Sequence, residues 1–168
     1  MTFHLVADHL SSEAGKKTGT PPADAFARTA FNRYYYAVYL AVREFIGEFE
    51  TDWKRTTHAK VPEIVEFNLA KKIKREADKL KKHNSLSESE YSRIIRISRD
   101  ATKDIAGIMK SAYSIRCISD YEPEVPIEFS NSQFSIKSTS SAEAKNWERR
   151  IQERIGQIKK ITKEVGLD

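Results

Sequence analysis

Phe31-Asn32-Arg33-Tyr34-Tyr35-Tyr36-Ala37-Val38-Tyr39 sits in the middle of a helix that its flanks extend from about Pro22 or Ala23 to Phe49. Phe26, Ala30, Ala37, Leu40, Ala41 and Phe45 recur at three- and four-residue steps, the period of one helical face. Arg33 falls inside that stripe. A guanidinium buried without an anionic or carbonyl partner is costly, so Arg33 is a candidate anion ligand. The neighbouring tyrosines bury area and can stack on a guanidinium, and Tyr36 joins Arg33 in that candidate site.

On the N-terminal side, Gly15-Lys16-Lys17-Thr18-Gly19-Thr20-Pro21-Pro22 breaks the chain, because its glycines and prolines cannot continue a helix. Thr20 and Asp24 are candidate caps. A short helix over about Phe3 to Glu13 precedes the break.

On the C-terminal side, a third helix is expected from about Pro62 to Lys82. Val61, Ile64, Val65, Asn68, Leu69, Ile73, Ala77 and Leu80 form its stripe. Its other face carries Lys71, Lys72, Lys74, Lys79, Lys81 and Lys82, which is either a solvated face or a phosphate-facing patch. Ser87 and Glu90 have the spacing of a capping box. They open a fourth helix that runs to about Ile118 with a stripe from Tyr91 to Ile115. A last helix is expected over about Ser141 to Val165, with Ala144, Trp147, Ile151, Ile155, Ile158 and Val165 on one side and Gly166 as its stop.

Residues 119–141 differ. Pro123 and Pro126 forbid a helix there, and the following stretch is rich in serine. An irregular loop is expected, in which Phe134 and Ile136 alternate with polar residues as a short extended piece would. The expected fold is all-α, an antiparallel four- to five-helix bundle formed by residues 1–168 as one domain.

Composition narrows the function. No apolar run approaches the roughly 20 residues of a transmembrane helix, and no secretory leader is evident, so a cytoplasmic protein without membrane contact is expected. The single cysteine, Cys117, excludes an internal disulfide, and four scattered histidines give no zinc-finger spacing. Neither a metal nor a cofactor is expected. A net charge of +5 favours anionic partners. Phosphate-cradling glycine loops and hydrolase or metalloprotease motifs are absent.

A second constellation is Ser114-Ile115-Arg116-Cys117-Ile118-Ser119-Asp120-Tyr121-Glu122-Pro123, where an arginine stands near the end of a long helix, before a proline-locked turn. Helix C-termini favour cations, so Arg116 is either a structural cap or a bidentate phosphate ligand.

At these two places the chain resembles HEPN domains. Asn32-Arg33-Tyr34-Tyr35-Tyr36-Ala37 is similar to the "S-R-x-Y-Y-A" helix of that family, and Ala25-Phe26-Ala27-Arg28-Thr29-Ala30-Phe31 to its lead-in. Arg116 through Tyr121 is similar to the later "R-N-x-A-D-Y" motif, with Asp120-Tyr121 retained. Thr57-His58-Ala59-Lys60-Val61 stands where members carry a Ser-His pair opening the middle helix. The resemblance spans about Phe3 to Lys160. It implies an antiparallel helical bundle, commonly a homodimer, that engages RNA or a nucleotide in prokaryotic defence or toxin–antitoxin systems. A protein partner such as a nucleotidyltransferase-like antitoxin is also implied.

Many members are metal-independent ribonucleases whose Arg-x(4–6)-His motif holds the scissile phosphate and moves protons. Here Tyr121 occupies the histidine's place after Arg116, and Cys117 replaces the polar residue that follows the arginine. A phenol, with a pKa of about 10, is a poor proton shuttle at neutral pH. The expected site is therefore Arg33, Tyr36, Arg116 and Asp120 holding an RNA or nucleotide phosphate. Two alternatives stay open: a ribonuclease using Arg116 with Tyr121 or His58, and a non-catalytic helical scaffold in a larger complex.

Overall fold

The computed structural model describes residues 3–167. It is mostly helical, with five main helical segments and one small sheet. Helix α1 (Phe3–Lys16) and helix α2 (Pro21–Gly47) are followed by two 3-10 turns, Thr51–Arg55 and His58–Lys60. The third segment begins as α3 (Val61–Glu63), widens into a π-helical stretch (Ile64–Leu69) and continues as α4 (Ala70–Lys82). Helix α5 (Glu88–Tyr121) and helix α6 (Ser141–Glu164) complete the expected set of one short and four long segments.

Instead of an irregular loop, residues 119–141 hold the last turn of α5 and an antiparallel sheet ordered β1 (Ile127–Ser130), β2 (Gln133–Ile136), β3 (Thr139–Ser140). The pairing sets Phe129 opposite Phe134 and Ile136 opposite Thr139. Asn131 and Ser132 both take positive φ, 46° and 64°, in the two-residue turn between β1 and β2, as hairpin turns that match the strand twist require. The turns lack glycine and the strands are only two to four residues long, so the usual hairpin signal is missing from the sequence.

The chain divides into two compact units. Unit 1 is the described part of 1–41 with 109–150, and unit 2 is 42–108 with the described part of 151–168.

In unit 1 the core gathers Phe31, Tyr34, Tyr35, Val38, Phe134, Ile136 and Trp147, all at most 3% exposed. Phe31 meets Phe134 edge-on, with centroids 5.2 Å apart. The buried face of α2 here is Ala23, Ala27, Ala30, Phe31, Tyr34, Tyr35 and Val38; of the expected stripe Ala30, Ala37 and Phe45 are buried, while Phe26, Leu40 and Ala41 are only half-buried. The apolar residues of this helix spread over a broad sector, so spacing alone fits two overlapping faces, and the tyrosines decide between them by burying their rings. Arg28 ties the proline turn down: its guanidinium donates to the carbonyls of Glu122 (3.3 Å), Pro123 (3.3 Å) and Val125 (2.5 Å), while Nε donates to Asp24 at 2.7 Å.

In unit 2 the caps take the expected form. Ser87 N–H donates to Glu90 at 2.8 Å, and Glu90 N–H donates to Ser87 Oγ at 3.2 Å. After α6, Gly166 has φ 70°, Leu167 N–H donates to Thr162 O and Gly166 N–H to Lys163 O, the paired bonds of a Schellman stop. Val61, Val65, Leu69, Ile73 and Ala77 are fully buried at steps of four. Steps of four outrun a 3.6-residue turn, and the π-helical stretch, bonded i→i+5, keeps the first three on one face. Ion pairs Arg93–Glu164, Arg154–Asp104 and Lys159–Glu48 rim this core. Each is partly exposed and contributes little beside the buried aliphatics.

Candidate anion site at the end of helix α5

Helix α5 continues to Tyr121, five residues past Arg116, so Arg116 is not the helix cap. It lies one turn before Asp120, and Nε stands 3.0 Å from an Asp120 carboxylate oxygen. This is an ion pair rather than a hydrogen bond, because Nε is buried and has no hydrogen-bond partner. Nη2 donates to the Tyr121 hydroxyl at 3.3 Å. The Tyr121 ring carries the guanidinium 5.1 Å from its centroid, a cation–π distance. Side-chain exposures of 18% for Arg116 and 26% for Asp120 make the pair half-buried, while Tyr121 stands 68% exposed.

Helix α2 closes the cluster. Asn32 Nδ2 donates to both oxygens of Asp120, at 2.8 and 2.9 Å, across 88 residues of chain. A carboxylate at a helix C-terminus is disfavoured by the helix dipole, and Asp120 is held there by one amide and one guanidinium. Behind it, the Tyr35 ring stacks on Tyr39 (5.9 Å) and packs against Tyr113 (5.9 Å).

The electrostatics follow from this packing. Burial works against the charge on Arg116, but Tyr121, Cys117 and Asp120 together outweigh it, so its pKa is raised and the cation is secured. Burial, aided by the surrounding tyrosines, pushes the Tyr35 phenol up. The Cys117 thiol, hydrogen-bonded to it, pushes the Tyr113 phenol up as well. Both phenols are therefore neutral donors at ordinary pH.

Arg33 and Tyr36 occupy a different corner. The Arg33 guanidinium lies 5.8 Å above the Phe3 ring, and Tyr36 packs on Phe3 at 6.2 Å. Because the buried face of α2 runs through Phe31 and Tyr34, Arg33 is half-buried beside it and is not embedded in the apolar stripe. Tyr36 meets Tyr35 at 5.5 Å, so a row of tyrosines runs from Arg33's corner to Arg116's. His58 lies in the 3-10 turn His58–Lys60 of unit 2 and is half-buried.

The cluster the structure assembles is thus Asn32, Arg116, Asp120 and Tyr121. Asn32 is not among the residues the sequence marks for the site, where its charged neighbour Arg33 stands out instead. Its signal in the sequence is modest: an amide one residue before Arg33, in a helix that carries several other polar residues. Among the described residues, no group of three or more His, Cys, Asp or Glu is placed to hold a metal ion, and no helix is long and apolar enough to cross a membrane. Compared with family models, curated proteins and solved structures, the chain gives no match.

Proposed function

We propose that the chain is a divergent HEPN-type helical protein that holds a phosphate of RNA or of a nucleotide at Arg116 without cutting it quickly. The observation that carries this is the hydrogen bond between Asn32 and Asp120. It joins residues from the two motifs on which the family resemblance rests, and it fixes the carboxylate against which Arg116 is oriented. A guanidinium has five N–H donors, and the contacts to Asp120, Tyr121 and Cys117 do not exhaust them. A phosphate approaching over the exposed Tyr121 ring meets a cation that is already desolvated and positioned.

Cleavage would need a group that accepts and returns a proton near neutral pH. Beside Arg116 stands a phenol in place of an imidazole, and a phenol is a poor proton shuttle near neutral pH. Binding is accordingly separated from fast catalysis. In the HEPN setting the binding unit is a homodimer in a prokaryotic defence or toxin–antitoxin system, working beside a protein partner such as a nucleotidyltransferase-like antitoxin.

The test is fluorescence anisotropy with short single-stranded RNA at low salt in EDTA, run for wild type, Arg116→Ala and Arg116→Lys. Arg116→Ala is expected to weaken binding by at least about tenfold, since a charge-assisted contact contributes roughly 1.5–3 kcal/mol. Arg116→Lys should recover part of it. Unchanged binding by Arg116→Ala sinks the proposal. RNA cleavage by wild type in EDTA at any pH from about 6 to 9, lost in Arg116→Ala, would replace it with a ribonuclease.

A further inference from the structure

The basic face of the third helical segment borders a groove in unit 2 of about 540 Å³. One wall is Trp53, in the 3-10 turn Thr51–Arg55. The other is the α4 face bearing Lys71, Lys74 and Arg75. Lys72 braces the two walls: its ammonium donates to Phe49 O at 3.0 Å and pairs with Glu50. With 19% side-chain exposure, it is a tie rather than a ligand.

The remaining cations face outward. Lys71 has no ion-pair partner among the described residues. Lys74 pairs with Asp78 at 2.7 Å, and Arg75 pairs only with its neighbour Glu76. Phe67, one turn before Lys71, is 61% exposed. An indole wall, a row of cations at helical spacing and an exposed phenyl ring make the pairing that single-stranded nucleic acids recognise. Bases stack on aromatic faces while the backbone tracks the charges. A duplex keeps its bases stacked inside and offers the indole nothing.

We infer that this groove binds single-stranded nucleic acid, with a base against Trp53 and successive phosphates on Lys71, Lys74 and Arg75. The inference stands on the groove alone and does not depend on Arg116. A polyanion of another class, such as an acidic protein segment, would meet the same cations but would leave the indole unused, so Trp53 decides between them.

The chain has two tryptophans, and Trp147 is 1% exposed in the core of unit 1. Intrinsic fluorescence quenching therefore reports on Trp53. Oligo(U), oligo(dT), a duplex of mixed sequence and inorganic polyphosphate are titrated against wild type and against Arg116→Ala, so that failure at Arg116 and failure at the groove are read separately. The single-stranded oligomers are expected to quench in both backgrounds, and polyphosphate and duplex are not.

Lys71→Gln with Lys74→Gln should lower the slope of log K against log salt by about 1.4, at about 0.7 per phosphate contact on a single strand. Lys103→Gln with Lys137→Gln, which removes the same charge elsewhere, should leave the slope unchanged. Read by the anisotropy of a labelled oligomer, because the variants lack the reporting indole, Trp53→Leu should weaken oligomer binding about tenfold and Trp53→Tyr far less, with circular dichroism and melting confirming that each variant is folded. Absence of quenching, equal binding of polyphosphate and oligomer, or a salt slope that follows total charge regardless of position overturns the inference.

Discussion

A single amide nitrogen of Asn32 donates to both carboxylate oxygens of Asp120, at 2.8 and 2.9 Å. The carboxylate so held is the one that faces Arg116 Nε at 3.0 Å. Asp120 therefore does two opposed things. It orients the guanidinium, and it occupies part of the field that an incoming anion would use.

Removing that charge while keeping the shape separates the two effects. Asp120→Asn is expected to tighten phosphate or RNA binding about fivefold at low salt, since a partly exposed ion pair is worth on the order of 1 kcal/mol. Asn32→Ala frees the carboxylate to move and should weaken binding through lost orientation of Arg116. Anisotropy titrations of the two variants decide the matter. Weaker binding by Asp120→Asn would mean that orienting Arg116 outweighs the competition from the carboxylate.

Gly15 gives a test of how α1 meets the hairpin of unit 1. A β-carbon at Gly15 would lie 2.6 Å from the Ser132 carbonyl oxygen, a backbone atom in a turn that cannot yield without unpairing β1 and β2. Gly15→Ala is expected to destabilise by about 1–3 kcal/mol, as overpacking does, with a fall in melting temperature of roughly 2–4 °C per kcal/mol. Gly107, within α5, has nothing within 4 Å of such a carbon. Gly107→Ala should raise stability by about 0.5–1 kcal/mol from helix propensity alone. Paired thermal melts read both effects.

The helices were legible because their apolar periods are long and their ends are chemically marked. Ser87 with Glu90, and Gly166 after α6, do what their residue types predict. Three things were not legible. The face of α2 is only partly legible: Ala30, Ala37 and Phe45 are buried as expected, but Phe26, Leu40 and Ala41 offer as regular a period as the buried tyrosines, and only the packing of the rings selects between them. The sheet was hidden because Asn131-Ser132 and Lys137-Ser138 turn the chain without glycine, and because strands this short leave little alternation to detect. The site was half visible. Arg116, Asp120 and Tyr121 are consecutive enough to be read together, but Asn32 joins them from a helix 88 residues away. Arg33, the more conspicuous neighbour, turns instead to Phe3.

Arg28 is the main tie between α2 and the proline turn after α5. It offers three hydrogen bonds to carbonyls of residues 122–125, and its side chain is 13% exposed. Proline lacks an N–H and cannot pair this turn into a ladder; the Glu122 carbonyl also accepts from Val125 N–H at 3.1 Å, while those of Pro123 and Val125 are met by the guanidinium. Arg28→Gln is expected to cost about 2–3 kcal/mol, from lost charge-assisted bonds in a half-buried place. Limited proteolysis should then cut between Tyr121 and Val125 well before the rest of the chain. A variant as resistant as wild type would show that the prolines alone hold the turn.

Alkaline stability should be set by two tyrosines of the same unit. Tyr34 is 3% exposed and its hydroxyl donates to Asp8 at 2.7 Å. Burial first, and the Asp8 carboxylate second, push its phenol well above the ordinary value of 10.0. Tyr35 is fully buried and is pushed up mainly by burial. Each folded pKa is raised, so the unfolded state releases its proton first as pH rises. The stabilisation is complete below pH about 10 and is lost progressively above it. Tyrosinate absorbance in the native state should leave these two silent until the chain unfolds. Tyr34→Phe removes one titrating group, so the fall in stability above pH about 10 should become shallower. Its cost at neutral pH is about 1 kcal/mol for the lost hydrogen bond, limited because Asp8 keeps Lys145 at 3.1 Å. An unchanged alkaline slope in Tyr34→Phe would mean that this phenol is not protected in the folded chain.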